Sequence, residues 1–540
     1  MATLIREPCD DGVIRSGHIA APCPKSSGKW ILAATILGSS LAFIDGTVVN
    51  VALPALQRDL EASVGGVQWV VESYALFLAA LLLVGGSMGD RYGRRRVFVT
   101  GVAIFAAASA WCGFASGIGQ LIAARGVQGI GAALLVPGSL AIISNSFSEE
   151  DRGRAIGTWS GFSAITAAIG PVLGGWLVET VSWRAVFFIN IPVAILVIVI
   201  SLRHVPESSD AGKGRLDWIG AILVTLGLGA LVYGFIESAS RGFAHPAIRT
   251  ALVGAIVFLV LFVIVEARTG NPMLPLTLFR SRTFTGANLL TFLLYGALGG
   301  TMFFLPLNLI QVQRYSATAA GASLLPFILI IFLLSRWSGA LVQKHGARIP
   351  LIIGPLLAAA GFALFLLPGV GGAYWTTFFP AVVVLGIGLA VSIAPLTTTV
   401  MNSVAHERAG VASGINNAVS RAAGLLAIAV LGIAIFFVFD RALSRRLTDL
   451  DVPPSLRQAV DAQRNRLGGI ELPDSIPPRE RARLREAIDL SFVDGFRCVM
   501  LVGALLALGS AVIAFLLIDA GVKRGTPQFS LRSPRVRNEL

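Results

Sequence analysis

Gly86-Ser-Met-Gly-Asp90-Arg91-Tyr-Gly93-Arg94-Arg95-Arg96 is a glycine-punctuated basic turn between two long apolar runs. A fainter copy, Gly339-Ala-Leu-Val-Gln-Lys344-His-Gly346-Ala-Arg348, lies 253 residues further on with the same spacing of glycines and arginine. A second echo, at a shift of 257, sets Gly129-Ile130-Gly131 on Gly386-Ile387-Gly388, and Gly153 and Gly157 on Gly410 and Gly414. Several echoes in one order mark a duplicated unit.

Outward from the basic turn, apolar runs long enough to cross a bilayer recur fourteen times, from about residues 30–54 to about 497–519. Each can cross a hydrocarbon core of about 30 Å at about 1.5 Å per residue. Composition agrees: 55% of the 540 residues are hydrophobic and 14% charged, against about 25% charged in a soluble domain. Mean hydropathy is +0.77. Disorder is excluded by the apolar content, and a disulfide scaffold by there being only four cysteines. The run that begins at Trp30 exceeds a signal-peptide core in length and reads as a retained membrane helix.

The net charge of +13 reads as topology rather than nucleic-acid binding. Arg91, Arg94–Arg96, Arg203, Arg268, Arg348 and the tail from Lys523 to Arg537 fall on alternate sides of successive spans, hence on one face. Basic loops stay cytoplasmic, so both termini are expected there. The exception is 440–496, where residues 440–494 hold ten arginines against ten acidic residues. Leu484, Ile488 and Phe492 fall at helical spacing, which suits either an extracytoplasmic amphipathic cap or a connecting insert.

The echoes map spans 2, 4 and 5 onto spans 10, 12 and 13. The expected fold is therefore all-α and polytopic, with 14 transmembrane helices in two pseudo-symmetric six-helix bundles plus two inserted helices. Its parts are a cytoplasmic tail (1–29), a first bundle (30–203), two linker helices with flanking loops (204–283), a second bundle (284–519) that includes loop 440–496, and a second cytoplasmic tail (520–540). Two such halves about a central cavity are the build of a secondary transporter.

Four ionisable residues stand at membrane depth: Asp45, Glu72, Arg125 and Arg421. Such residues are costly there and point to function. Asp45 reads as a proton- and cation-binding carboxylate, or as a structural tie to Thr47 or Arg125. Glu72 lies near the outer end of span 2, and Asp45, Glu72 and Arg125 could share one cavity. Arg421 could accept an anionic cargo group or pair with Asp45. Trp69, Tyr74, Phe292, Tyr295, Phe303, Phe304, Phe332 and Trp337 could line an aromatic cavity, although most membrane aromatics face lipid or other helices. Asn50, Tyr74, Asn288, Tyr295 and Arg421 are the candidate substrate contacts.

Taken together, these stretches resemble the major facilitator superfamily, and within it the fourteen-span drug:proton antiporter group. The turn at 86–96 matches the superfamily's GxLaDrxGrrr signature, with Met88 in the leucine position. The resemblance implies gating roles for Gly86, Asp90, Arg91, Gly93, Arg94 and Arg95. Arg125-Gly-Val-Gln128-Gly129 looks like the RxxQG element, which links Arg125 to proton coupling. Gly170-Pro171-Val-Leu-Gly174-Gly175 is similar to the antiporter GPxxGG element, again implying gating. Phe43-Ile-Asp45-Gly-Thr47-Val-Val-Asn50-Val-Ala-Leu-Pro54 and Trp183-Arg184-Ala-Val-Phe187-Phe-Ile-Asn190-Ile-Pro192 fit the fourteen-span group. Glu72 departs from the small polar residue usual in its stretch, and could add a second proton site or favour cationic cargo.

The implied function is proton-coupled export of amphipathic or hydrophobic small molecules by alternating access, in a bacterial inner membrane. The expected partners are cargo, protons and lipid, with an extracytoplasmic partner conceivable through 440–496, and the expected state is a monomer. Rival readings are a transporter of a specific metabolite or lipid on the same fold, and a membrane sensor or assembly protein. The sequence contains no Walker, HExxH or GxSxG motif, so the expectation is no enzyme, no cofactor and no metal.

Overall fold

The computed structural model describes residues 25–519 apart from 148, 210–215, 271, 405–408 and 474. The tails expected at 1–29 and 520–540 lie outside the described residues, except for 25–29. Among the described residues the regular structure is helical throughout. The first group comprises α1 (Lys25–Asp59), α2 (Val64–Tyr92), α3 (Arg94–Gly113), α4 (Ile118–Ser146), α5 (Glu149–Thr180) and α6 (Ala185–His204). Next come α7 (Trp218–Arg241) and α8 (Pro246–Arg268). The last group comprises α9 (Arg282–Leu307), α10 (Leu325–His345) with a short leading helix Ala317–Ala322, α11 (Arg348–Leu364), α12 (Phe379–Asn402), α13 (Ala409–Asp449) and α14 (Pro478–Leu517).

Local chemistry sets the ends. The Ser63 hydroxyl accepts from the Gly66 N–H at the start of α2, and the Asp217 carboxylate accepts from Gly220 at the start of α7. Ser281 does the same for Phe284 at the start of α9. Each satisfies one of the orphan donors of a helix N-terminus. Gly93 separates α2 from α3 at φ +106°, a conformation that glycine alone adopts without strain.

Twelve helices among the described residues are long and apolar enough to cross a membrane. The fourteen apolar runs of the sequence are not all matched on that criterion. α5 stands outside the dozen, as does α11, which is 17 residues long.

The packing repeats. In the first group α1 packs on α5 and α6, α4 on α2 and α3, and α3 on α6; in the last group α9 packs on α13 and α14, α12 on α10 and α11, and α11 on α14. The two groups meet where α2 lies along α13 and where α5 lies against the short helix Ala317–Ala322. α7 rests on both α2 and α13, and α8 rests on α7. The outer face of α8 is bare, with Val253 and Ile256 about three-fifths exposed (61% and 62%), as suits a helix facing lipid.

The segment 440–496 is not one loop. α13 runs on to Asp449 and α14 begins at Pro478, so the amphipathic stretch is the first part of α14. Its Leu484, Ile488 and Phe492 are fully buried. Between these helices, Pro454–Asp461 and a tight turn at Arg464–Gly469 fold over one end of the molecule, burying Val460, Leu467 and Ile470. Arg464 lies outside the membrane-spanning segments and ion-pairs with Asp440 and Asp461. This end is called the cap end below; the opposite end carries Gly93.

Helices without water between them gain little from hydrophobicity and adhere through close packing of small residues. A Cβ on Gly85 of α2 would overlap the Ala133 carbonyl of α4. Gly254 of α8 has open space, the nearest atom being 3.9 Å away on Phe258. Gly85→Ala is therefore expected to destabilise the protein by about 1–3 kcal/mol and to lower its thermal midpoint in detergent. Gly254→Ala should leave the midpoint unchanged or raise it. Equal midpoints for the two variants would contradict this packing.

Candidate functional site

The centre of the first group is a closed polar cluster. Asp45 of α1 is fully buried, and Arg125 of α4 is 1% exposed. Arg125 and Gln128 are three residues apart and share one face of α4. The Arg125 guanidinium donates through Nη1 to Asp45 Oδ2 at 2.5 Å and to Gln128 Oε1 at 2.6 Å, and through Nε to the Val70 carbonyl of α2 at 3.0 Å. The guanidinium also lies 4.3 Å from the ring centre of Tyr74. Gln128 Nε2 donates to Asp45 Oδ1 at 2.9 Å and to Ser109 Oγ of α3 at 2.7 Å. Asn190 of α6 donates to Asp45 Oδ1 at 3.4 Å and to Ser109 Oγ at 3.2 Å.

Both charges of the pair are buried. Of the structural ties read for Asp45, the one to Arg125 is made. Thr47 turns its hydroxyl to the carbonyls of Phe43 and Ile44 instead. Arg125 is the ion-pair partner of Asp45, and no ion pair joins Asp45 to Arg421. Sequence reading missed Ser109 and the role of Asn190. Ser109 carries no motif, and Asn190 registered only as part of a fingerprint.

A cavity of about 340 Å³ opens beside this cluster, between the two helix groups. From the first group Asn50, Tyr74 and Arg125 line it, and from the last group Tyr295 and Arg421. Asp45 lies behind Arg125 rather than on the wall. The Asn50 Oδ1 is buried and has no hydrogen-bond partner.

Two expected residues lie elsewhere. Asn288 donates to the Phe284 carbonyl at 2.9 Å and accepts from Asn416 of α13 at 3.2 Å, within the packing of α9 on α13. The three acids and bases expected in one cavity do not share it: Arg125 lines it, whereas neither Asp45 nor Glu72 does. Glu72 lies on α2 one turn from Gln68, which donates to the Ile428 carbonyl of α13 at 3.2 Å. On its other side, Leu76 packs with Leu228 and Val232 of α7 and Leu425 of α13. Glu72 thus sits in the seam of α2, α7 and α13, fully buried, with neither carboxylate oxygen hydrogen-bonded.

The aromatic wall reduces to the two tyrosines. Trp69 rests on Tyr233 of α7 at 6.4 Å, and Phe303 and Phe304 pack on each other at 4.9 Å. Phe292, Phe332 and Trp337 are exposed.

At the Gly93 end, Asp90 accepts from Arg94 Nε at 3.0 Å and Nη2 at 2.8 Å. Glu207, which follows α6, accepts from the backbone N–H groups of Arg95 and Arg96 at 3.0 and 3.2 Å, capping α3. Arg95 also donates to the Val205 carbonyl at 3.0 Å. Arg91 is exposed over Tyr92. Gly86 faces Pro137 of α4 at ordinary contact distance. Glu207 was not foreseen, because it lies more than 100 residues from the arginines that it caps.

The Gly170-to-Gly175 element works as a spacer. A Cβ on Gly170 would strike Thr47, and one on Gly174 would strike Val48, both on α1. A Cβ on Gly175 would strike the Ala317 carbonyl, while the Pro171 carbonyl lies against Gly321. This stretch of α5 is therefore pressed between the two groups.

Ties between the groups gather toward the cap end. Glu179 accepts from the Thr318 hydroxyl at 2.5 Å. Gln57 of α1 accepts from Gln311 at 2.8 Å and donates to the Arg466 carbonyl at 3.2 Å.

A sequence model described as Major Facilitator Superfamily matches residues 35–428. The multidrug resistance protein Stp of Mycobacterium tuberculosis is 34% identical over 488 residues, covering 87% of this chain and 88% of that protein. The puromycin resistance protein pur8 of Streptomyces alboniger is 37% identical over 434 residues, covering 79% of this chain and 86% of its own. Among solved structures, a bacterial homolog of the human lysosomal transporter Spinster, in an inward-facing and unoccupied conformation, superposes with a TM-score of 0.64 at 18% identity. That match covers 92% of this chain and 98% of the other and shows a shared fold.

Removing one partner of a buried ion pair strands the other charge. Asp45→Asn is expected to destabilise the protein by about 3–5 kcal/mol, and Arg125→Gln alone by a comparable amount. The double variant should recover a substantial part, because no bare charge remains. Thermal midpoints of the four proteins in detergent, read as a double-mutant cycle, check this. Simple additivity would show that the two side chains do not stabilise each other.

Proposed function

The chain belongs to the major facilitator superfamily, a family of transporters and not of enzymes, and on that premise we propose that it exports amphipathic or hydrophobic small molecules in exchange for protons, by alternating access. The two relatives above are named for drug resistance, which supports the export reading. The proton role rests on one observation: a buried carboxylate–guanidinium pair whose cationic member, Arg125, forms part of the cavity wall while Asp45 lies sealed behind it.

In this proposal Asp45 takes up a proton on its carboxylate. The ion pair becomes a contact between a neutral carboxyl group and a guanidinium that keeps its charge, and Arg125 loses its counter-charge at the cavity wall. The packing of α1, α3, α4 and α6, all tied to that cluster, is thereby coupled to occupancy by the proton. Loss of the proton to the opposite side restores the pair. Glu72 is proposed as a second proton-carrying group. Its carboxylate finds no cation in the seam of α2, α7 and α13 among the described residues, so a proton supplies its neutralisation. That seam must shear when the halves rock.

The proposed architecture is two bundles, 30–203 and 284–519, rocking about the cavity, with 204–283 as an inserted pair. Counting α5, at 32 residues, and α11, at 17, with the twelve long apolar helices gives fourteen crossings. α11 spans about 26 Å at 1.5 Å per residue, near the thickness of the hydrocarbon. Gly86, Asp90, Arg91, Gly93, Arg94 and Arg95 form the proposed gate at the Gly93 end. Gly170, Pro171, Gly174 and Gly175 are the proposed sliding contact. The arginines of the Gly93 end support a cytoplasmic position for that end and, in this proposal, for both termini, in a bacterial cell. The cap end then faces outward, and its ties hold the outer side closed.

Proteoliposomes carrying the full chain and loaded with a fluorescent amphipathic dye panel test this reading under an imposed pH gradient. The wild type should move dye in proportion to the gradient, and a protonophore should stop it. Asp45→Asn should fall to the protein-free background while still binding dye, and Glu72→Gln should transport at a reduced proton-to-dye ratio. Full gradient-driven transport by Asp45→Asn would overturn the proton role.

A further inference from the structure

The charge census of the cavity is unbalanced. Arg125 and Arg421 are the charged side chains on its wall, and no carboxylate lines it. Arg125 is neutralised by Asp45 at 2.5 Å. Asp45 accepts from Arg125 at Oδ2 and from Gln128 and Asn190 at Oδ1, and no ion pair joins it to Arg421. Glu72 is turned into the seam with α7 and α13. Among the described residues Arg421 is therefore left without a hydrogen bond or an ion pair. It stands on α13, across the cavity from Asn50 and Tyr74.

A guanidinium at membrane depth is costly, and its five donors call for acceptors. On this wall the Asn50 Oδ1, buried without a partner, is a second group left unsatisfied. Leu298, Met302, Leu425 and Ile428 supply apolar surface between the polar points. A volume of about 340 Å³ is within the range of small-molecule sites.

Resting on the transport reading above, we propose that Arg421 is an anion-binding subsite of this cavity, and that the cargo is an amphipathic molecule carrying a carboxylate or a similar single anionic group beside an apolar body. The anion supplies the charge that Arg421 lacks, and charge-assisted bonds to a guanidinium are among the strongest available. The amide of Asn50 meets a polar substituent on the other side of the cargo. A cationic cargo would add positive charge to a wall that already has an unpaired cation and no acid to receive it. Outward movement of an anion against inward movement of a proton also carries net positive charge inward, so an inside-negative potential should accelerate it.

One fluorophore with three heads tests this: pyrenebutyrate, its methyl ester and pyrenylbutyl-trimethylammonium. Equilibrium binding to the full chain in detergent is measured first. The wild type should bind the carboxylate at least about tenfold more tightly than the ester or the ammonium. Arg421→Gln should bring carboxylate affinity down to that of the ester and leave the ester unchanged. Arg421→Lys, which keeps the charge, should retain most of the preference and guards against a variant that fails to fold.

Equal binding of carboxylate and ammonium by the wild type, no saturable binding of any of the three, or an equal loss for all three in Arg421→Gln would each overturn the subsite. Transport in proteoliposomes separates this from the export reading. Preferred binding of the carboxylate with no gradient-driven movement overturns export and keeps the subsite. Gradient-driven movement of the ammonium alone does the reverse.

Discussion

A carboxylate and a guanidinium buried together in an apolar medium must meet each other and fill their remaining hydrogen bonds, or the fold cannot carry them. Asp45 and Arg125 meet that demand only because five helices deliver partners to one point. α1 brings the acid and α4 the base with Gln128. α2 contributes the Val70 carbonyl, α3 Ser109 and α6 Asn190. Every one of these groups bonds to at least one other, so a slip of one helix by a turn leaves a bare charge or an empty donor. The register of the first helix group follows from this. The cavity lies where it does because Arg125 turns one flank to the cluster and the other to the space between the groups.

The last group repeats the helix pairings of the first without repeating the ion pair. Where α1 meets its neighbours through charges, α9 meets α13 through neutral amides and hydroxyls. Asn416 donates to Asn288 at 3.2 Å and to Thr291 at 2.7 Å. Among the described residues, the one charge on the last group's side of the cavity is Arg421. A duplicated scaffold thus carries two different chemistries, a compensated pair on one side and a free cation on the other. Close glycine contacts hold both halves and their junction, since small residues let backbones approach where apolar burial yields little.

How legible this was differs from residue to residue. Asp45 and Arg125 could be picked out because a charge within an apolar run is expensive anywhere, whatever it touches. The Gly170-to-Gly175 element was readable because glycines at short spacing on a helix permit close approach. Glu72 was grouped with Asp45 and Arg125, but it lies outside both their cluster and the cavity wall. Residue count along a helix measures depth at a fixed rise, but the direction a side chain takes around the axis depends on which helices stand there. Asn288 fails for the same reason, as it turns to Asn416 rather than to the cavity. The 440–496 stretch was expected as a loop because charge alternates with apolar residues there. The structure continues α13 and α14 through much of it, since helices projecting past the bilayer can solvate their charged faces and still bury an apolar stripe.

By itself the sequence determined that the chain is a helical membrane protein, that it is internally duplicated, that arginines cluster after span 2 while 440–494 balances them with acids, and which few charges are too costly to be incidental. These are properties of local composition and spacing, which hold in any packing. Only the tertiary structure decided who partners whom. Asp45 and Arg125 are 80 residues apart, and Asp45 and Asn190 145 apart. No rule of spacing joins them, because helix azimuth and register are settled jointly by all the helices that must satisfy the same buried charges. The same joint solution left Arg421 with no acid to face among the described residues.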